Sequence, residues 1–168
     1  MTVVLPYNRQ KAVNYADKWA LKRNLRYLDF SKLGGDCTNF ISQCLYAGSN
    51  IMNYTPVYGW FYINSNNRSA SWSGVNYLYN FLITNKIQGP FAIETDVSKI
   101  ELGDVIHLGD NTGRFYHSLI VTKIDGFPSI DSIYISTHTI DSHNRLLSTY
   151  MYEKIRFLHV NGVYKTYS

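Results

Sequence analysis

The spacing of apolar residues changes near Ile100, and this change constrains the fold more than any other feature of the sequence. Before it, residues 8–24, 36–48 and 73–85 have the three- and four-residue apolar spacing of amphipathic helices. After it come short stretches rich in Val, Ile and Tyr, separated by Gly, Pro, Asn and Asp: GDVIHLG, YHSLIVTKID, SIDSIYISTHT and EKIRFLHVNGVY. Helices followed by strands predict an α+β fold, with N-terminal helices packed on an antiparallel β-sheet.

Length and composition set the class of protein. A chain of 168 residues with 45% hydrophobic residues predicts one domain over residues 1–168. The net charge of +4 is small and no nucleic-acid-binding signature accompanies it, so we expect no nucleic-acid partner. No apolar run reaches the ~20 residues that span a bilayer. We therefore expect a monomer that does not insert into membranes.

A long segment without clear periodicity, residues 53–74, lies between the helical and strand-rich parts. It predicts neither a helix nor a strand, and long loops in compact domains are often functional. Its aromatic residues Trp60, Tyr62 and Trp72 fit two interpretations equally well. They form the walls of a ligand groove, or they cover the edge of the hydrophobic core.

The two cysteines of the chain, Cys37 and Cys44, lie seven residues apart in one predicted helix. Their side chains share a helix face, but at 1.5 Å rise per residue their Cα atoms are ~10 Å apart, which is too far for a disulfide. We expect Cys44 to be a small buried hydrophobic residue.

The motif GGDC, residues 34–37, places Cys37 where a helix begins. The glycine pair permits a sharp turn, and Asp36 is expected to cap the helix through its side chain. Unpaired N–H groups in a first turn favour a thiolate, and the N–H of Cys37 is available to an oxyanion. Cys37 is therefore a candidate nucleophile, although a packing role after a turn fits the motif alone equally well.

A catalytic cysteine needs a base, and His117 is the best placed of the five histidines. It starts the strand HSLIVT, while His138 ends the following strand. A hairpin through residues 125–129 places the start of the first strand beside the end of the second. We predict that His117 is the base and that His138 orients it, with Asp141 as the alternative third residue.

Several of these segments together resemble a bacterial amidase domain family related to NlpC-type cell-wall cysteine peptidases, which are papain-like. The matching motifs are YNRQKAVNYADKWA, GGDCTNFISQCLYAG, LGDVIHL, HSLIVT and STHTID. The resemblance implies a papain-like fold and a catalytic Cys37 and His117, with His138 as the third residue. From the residues themselves we expect supporting roles for Asp36, Asn39 and Asp141. The resemblance also implies cleavage of peptide bonds in peptidoglycan, outside the cell or at the wall, without a cofactor.

Three other interpretations use different features. HTIDSH holds His138, Asp141 and His143, but three such residues in one loop are a weak metal motif, and we expect no metal. The abundant tyrosines and tryptophans also fit a wall-binding module without catalysis. Finally, an enzyme that transfers an acyl group to a protein, or that deamidates a protein side chain, would use the same thioester chemistry.

Overall fold

The computed structural model describes all 168 residues, Met1–Ser168, and has an α+β architecture in which every strand pair is antiparallel. Four helices are present: α1 Arg9–Trp19, α2 Cys37–Ser49, α3 Ala70–Ser73 and α4 Val75–Thr84. Nine strands are present: β1 Thr2–Leu5, β2 Tyr62–Asn64, β3 Asn67–Arg68, β4 Gly89–Thr95, β5 Val105–Gly109, β6 Phe115–Ile124, β7 Ile133–Thr137, β8 Ser142–Leu146 and β9 Lys154–Thr166. Two 3₁₀ turns follow β4 and β8, at Val97–Lys99 and Leu147–Thr149.

The main sheet has the order β1-β9-β5-β6-β7-β8, and β4 also pairs with β9. β9 is long enough to pair with three strands, because its C-terminal part lies between β1 and β4 while its N-terminal part pairs with β5. The predicted β6–β7 hairpin is confirmed, with Ile120 opposite Ser136. β2 and β3 form a separate two-stranded sheet.

The three long helices predicted from periodicity are confirmed, but some of their ends differ from the prediction, since α1 stops at Trp19 rather than near residue 24. α1 begins after Asn8, whose side chain accepts a hydrogen bond from the N–H of Lys11. α2 does not stop at Gly48, because its C-cap is Asn50 with a left-handed φ of 54°. α4 follows Gly74 rather than the expected cap Ser73.

Each face of the main sheet supports its own hydrophobic core. One core, which we call the helix-side core, packs α1, α2 and α4 against residues such as Val105, Ile120 and Leu158. The other, the far-side core, lies on the opposite face and includes Leu108, Leu119 and other apolar residues of β5, β6 and β7. Alternation along β6 explains the division, since successive side chains point to opposite faces.

The segment 53–74 has more regular structure than its sequence predicts. It contains β2, β3 and α3, and Asn53 and Trp60 form an isolated antiparallel bridge. Trp60 and Trp72 are fully buried in the helix-side core with their rings 5.0 Å apart, so these two side chains cover the core. None of the four helices has the length and apolar content needed to cross a bilayer.

Candidate active site

Cys37 is the first residue of α2, and a tight turn precedes it. Gly34 and Gly35 have φ values of 102° and 114°, which glycine adopts without strain. The turn is held against the end of β7, because the backbone N–H of Asp36 donates to the Thr139 hydroxyl at 3.0 Å. The cysteine is therefore held between a glycine turn and a buried helix.

Cys37 lines a cleft of about 270 Å³. Its side chain is 6% exposed, and its polar neighbour is the Thr38 hydroxyl at 3.8 Å. The N–H groups of Cys37 and Thr38 donate no hydrogen bond, because the first backbone bond in the helix comes from Phe40. Residues from three segments line the cleft: Gly34, Gly35, Cys37, Thr38, Ser73, Gly74, Val75, Asn76, Tyr77, Arg114, Phe115 and Tyr116.

Asp36 does not cap α2 through its side chain, contrary to expectation. Its buried carboxylate instead accepts from His138 Nδ1 at 2.5 Å, from the Phe30 N–H at 2.8 Å and from Asn39 Nδ2 at 2.9 Å. The guanidinium of Arg23 approaches the same carboxylate at 3.2 Å. Three hydrogen-bond donors and one cation thus surround the carboxylate, which leaves the first-turn N–H groups of α2 without an internal acceptor.

His138 is buried directly after β7, and both of its ring nitrogens face acceptors. Nδ1 faces the Asp36 carboxylate, and Nε2 lies 2.9 Å from the carbonyl oxygen of Trp19. Two acceptors are satisfied together by a ring that has a proton on each nitrogen. The ring also stacks on Phe40 with a centroid distance of 4.1 Å. His138 thus positions Asp36 and has no nitrogen free to orient His117.

His117 lies on the face of the sheet opposite α2, so the structure does not bring it to Cys37. It pairs with Leu108, a far-side core residue, and its ring lies 6.0 Å from that of Tyr150. It forms no side-chain hydrogen bond. The physical reason is strand alternation, since His117 has the same parity along β6 as Leu119 and Val121, whose side chains lie in the far-side core.

The neighbour of His117 occupies the place expected for the base. The Ser118 hydroxyl lies 2.9 Å from that of Thr38, on the face that α2 covers.

Burial, and to a smaller extent the charge of Arg145, lowers the pKa of His117 to about 4. The ring is therefore neutral near pH 7.

His107 is the histidine on the face that α2 covers, and sequence reasoning did not select it. It is fully buried opposite Ser118. Its Nδ1 accepts from Nε and Nη2 of Arg156 at 3.1 and 3.0 Å, so its proton lies on Nε2, which has no partner. Burial, together with the Arg156 charge, holds its pKa well below the usual range. With Nδ1 occupied by a guanidinium, His107 is a fixed donor rather than a base. The sequence DVIHL contains a signal for this face. His107 lies two residues after the apolar Val105, and side chains two residues apart in a strand point to the same face.

The remaining predicted residues have structural partners. The amide group of Asn39 accepts from Trp72 Nε1 at 2.9 Å as well as donating to Asp36. Asp141 forms a two-point ion pair with Arg23, at 2.8 and 3.0 Å, and contacts no histidine. His143 Nε2 lies 2.9 Å from an Asp17 carboxylate oxygen. His138, Asp141 and His143 are therefore bound to three different sets of partners and form no cluster of metal ligands.

Cys44 lies fully buried in the helix-side core, which confirms its predicted packing role. Burial raises the pKa of this thiol well above the ordinary value. The two cysteines of α2 thus differ in their surroundings, since Cys37 opens to a cleft and Cys44 does not.

Comparison with known proteins gives one family and one relative. Residues 6–161 match the sequence profile of a family described as "Putative amidase domain". The "Uncharacterized protein YhbB" of Bacillus subtilis (strain 168) is 37% identical over 122 residues, which are 71% of this chain and 38% of that protein. The chain thus spans well under half the length of this curated relative. No solved structure matches the chain significantly.

Proposed function

This chain belongs to the family described as "Putative amidase domain", and we propose that it is a cysteine-dependent amide hydrolase with the Cys37 thiol as nucleophile. One observation supports this assignment above all others. Cys37 is the first residue of α2 and lines a cleft, and the N–H groups of the first turn have no internal acceptor. A thiolate and an oxyanion are both stabilised by such a helix N-terminus.

The proposed reaction proceeds through a thioester. The Cys37 sulfur attacks the amide carbonyl carbon, and the resulting oxyanion accepts hydrogen bonds from the N–H groups of Cys37 and Thr38. The C–N bond then breaks, and the proton lost by the thiol leaves on the amine. Water hydrolyses the thioester, which releases the acid and restores the thiol.

We propose the peptide part of peptidoglycan as the substrate, with action at the cell wall. A cysteine at the start of a helix that packs on an antiparallel sheet is the arrangement that a papain-like, NlpC-type peptidase requires, so the fold supports this relationship. The positive net charge of +4 favours an anionic polymer.

A second function, wall binding without cleavage, is favoured by one specific observation. No histidine nitrogen lies within hydrogen-bond distance of the Cys37 sulfur, whose polar neighbour is Thr38 alone. His117, the base that the sequence predicts, has its side chain on the opposite face. A thiol without a base contact is compatible with a cleft that binds peptides and does not cut them.

Mass spectrometry of defined muropeptides incubated with wild type, Cys37→Ala and Cys44→Ala separates these functions. For the proposed hydrolase we expect cleavage by wild type, loss of cleavage with binding retained in Cys37→Ala, and cleavage retained in Cys44→Ala below its unfolding temperature. Cleavage by Cys37→Ala would exclude the thiol mechanism. If wild type binds muropeptides and leaves all of them intact, the binding function stands instead.

The base is tested separately with His117→Gln and His107→Gln. The sequence-based assignment predicts that His117→Gln lowers kcat by roughly 10²- to 10⁴-fold. An unchanged kcat in that variant would show that His117 stays on the far side of the sheet in the active protein and is not the base. His107→Gln serves as the comparison, because the hydrogen bonds from Arg156 already prevent His107 from accepting a proton at Nδ1.

A further inference from the structure

The charge of the Cys37 cleft comes from one side chain, Arg114, because none of the other lining residues is charged. Arg114 follows a turn at Gly113, whose φ is 84°, and its guanidinium forms no ion pair or hydrogen bond. The nearby Asp110 does not bind this guanidinium. Its Oδ1 accepts hydrogen bonds from the hydroxyl and N–H of Thr112 and from the backbone N–H of Arg114. Hydrogen bonds from Thr112, and to a smaller extent the charge of Arg114, lower the pKa of Asp110, so the two charged groups are neighbours without forming an ion pair.

A second cation lies behind the wall of the same cleft. The half-buried guanidinium of Arg156 lies between the rings of Tyr79, at 3.6 Å, and Phe115, at 3.9 Å. Its hydrogen bonds go to His107 and Asn76, and it forms no ion pair with a carboxylate. Burial lowers its pKa, and the nearby Tyr79 and Glu94 offset part of this effect. Because Phe115 and Asn76 both line the cleft, this positive charge is one side chain away from it.

The neighbouring depression has the opposite charge. It lies on the other side of Tyr116, which borders both concavities, and it contains Asp110 and Glu153 with no basic residue. Of these two concavities, the one with the thiol therefore contains the basic residue and the other contains the two acidic residues. An anionic group near the scissile bond is attracted to the Cys37 side and repelled from the other.

We propose that the substrate is an amide with a free carboxylate close to the scissile bond, and that Arg114 binds this carboxylate and determines specificity. The proposal rests on the proposed function and narrows its substrate class. A guanidinium at the cleft mouth forms a charge-assisted, two-point hydrogen bond with a carboxylate and cannot do so with a carboxamide. Arg156 adds favourable potential from behind the wall without contacting the substrate.

Binding to the Cys37→Ala protein tests the proposal, because that variant removes turnover from the measurement. The ligands are muropeptides with free carboxylates, and the same muropeptides after these groups have been chemically converted to carboxamides. Calorimetry measures the binding of each form. We expect amidation to weaken binding roughly tenfold. Adding Arg114→Gln should weaken binding of the acidic form by a similar factor and leave the amidated form unchanged. Lys123→Gln, which removes one positive charge from the far part of β6, is the matched control and should change neither.

Three results would overturn the assignment: equal binding of the two forms, equal losses for both forms in Arg114→Gln, or no binding of either form. These failures differ from failure of the proposed function. If wild type cleaves nothing while Cys37→Ala still distinguishes the two forms, the hydrolase is excluded and carboxylate binding by Arg114 stands. If wild type cleaves both forms equally, the hydrolase stands and Arg114 does not determine specificity.

Discussion

Asp36 and Cys37 are adjacent in the chain, yet their side chains have opposite surroundings. The carboxylate of Asp36 is fully buried, accepts hydrogen bonds from Phe30, Asn39 and His138 and has Arg23 beside it, while the sulfur of Cys37 opens to a cleft. Removing one partner of a buried ion pair commonly costs about 3–5 kcal/mol, because the other charge stays buried. The contacts of Asp36 therefore hold the backbone at Cys37 in place, so that the thiol needs few contacts of its own.

His117 gives a prediction about pH. Its pKa is lowered from 6.5 to about 4 in the folded chain by burial and by Arg145, so the unfolded chain binds an extra proton between these values. The free energy of unfolding should therefore fall as the pH drops from 6.5, by roughly 3 kcal/mol at pH 4 from this residue. Urea denaturation between pH 4 and 7.5 measures it. His117→Gln should flatten the curve by that amount, whereas parallel curves would show that His117 is not in this buried position.

At the residue level, sequence reasoning predicted positions along the chain better than the directions of side chains. It predicted that Cys37 begins a helix, that Cys44 packs in the core and that His138 ends the strand after His117, and the structure agrees on all three placements. It did not predict which face His117 occupies, because a shift of one residue in a strand moves a side chain to the other face. His117 has the same parity as Leu119 and Val121, but residues 119–121 are all apolar, so the sequence does not show which face of β6 the helices cover.

At the level of elements, strong periodicity was sufficient for α1, α2, α4 and the central strands. The strands that sequence reasoning missed are β1, β4 and β8 of the main sheet, and β2 and β3 within residues 53–74. β8 has the sequence SHNRL, which is polar and was interpreted as part of a loop, and β1 has four residues. Pairing with β7 and β9 supplies the order that their own residues do not predict, since strand propensity depends on neighbouring strands.

The contact between α2 and the N-terminal segment gives a second prediction. A Cβ at Gly48 would lie 2.4 Å from Cε2 of Tyr7 and 2.9 Å from the carbonyl oxygen of Asn8. A Gly→Ala change inside a helix ordinarily stabilises by about 0.5–1 kcal/mol. Here we expect the opposite, a loss of about 1–3 kcal/mol in the free energy of unfolding, because the side chain overpacks this contact.

Chemical denaturation of Gly48→Ala, Tyr7→Leu and the double variant tests this contact. Because the shortened side chain at position 7 makes room for the new methyl group, the double variant should lose less than the sum of the single losses. A stabilised Gly48→Ala protein would show that α2 is not packed this closely against Tyr7.

At the scale of the whole molecule, one sheet connects two cores that share no side chains. Leu119 and Ile120 are adjacent on β6 and both fully buried, but Leu119 belongs to the far-side core and Ile120 to the helix-side core. Trp60 and Trp72 are buried in the helix-side core, and the far-side core contains no tryptophan. Tryptophan fluorescence therefore reports on one face of the sheet.

If the shared sheet makes unfolding cooperative, damage to either face destabilises both. We expect Leu119→Ala and Ile120→Ala each to lower the free energy of unfolding by about 2–5 kcal/mol. In urea, tryptophan fluorescence and far-UV circular dichroism should give coincident transitions for both variants, because a single domain of this size unfolds as a unit. The decisive variant is Leu119→Ala, whose lost side chain lies on the face opposite Trp60 and Trp72. A circular dichroism transition that splits in two while the fluorescence midpoint stays at the wild-type value would mean that the cores unfold separately, and that the cleft at Cys37 depends on the helix-side core alone.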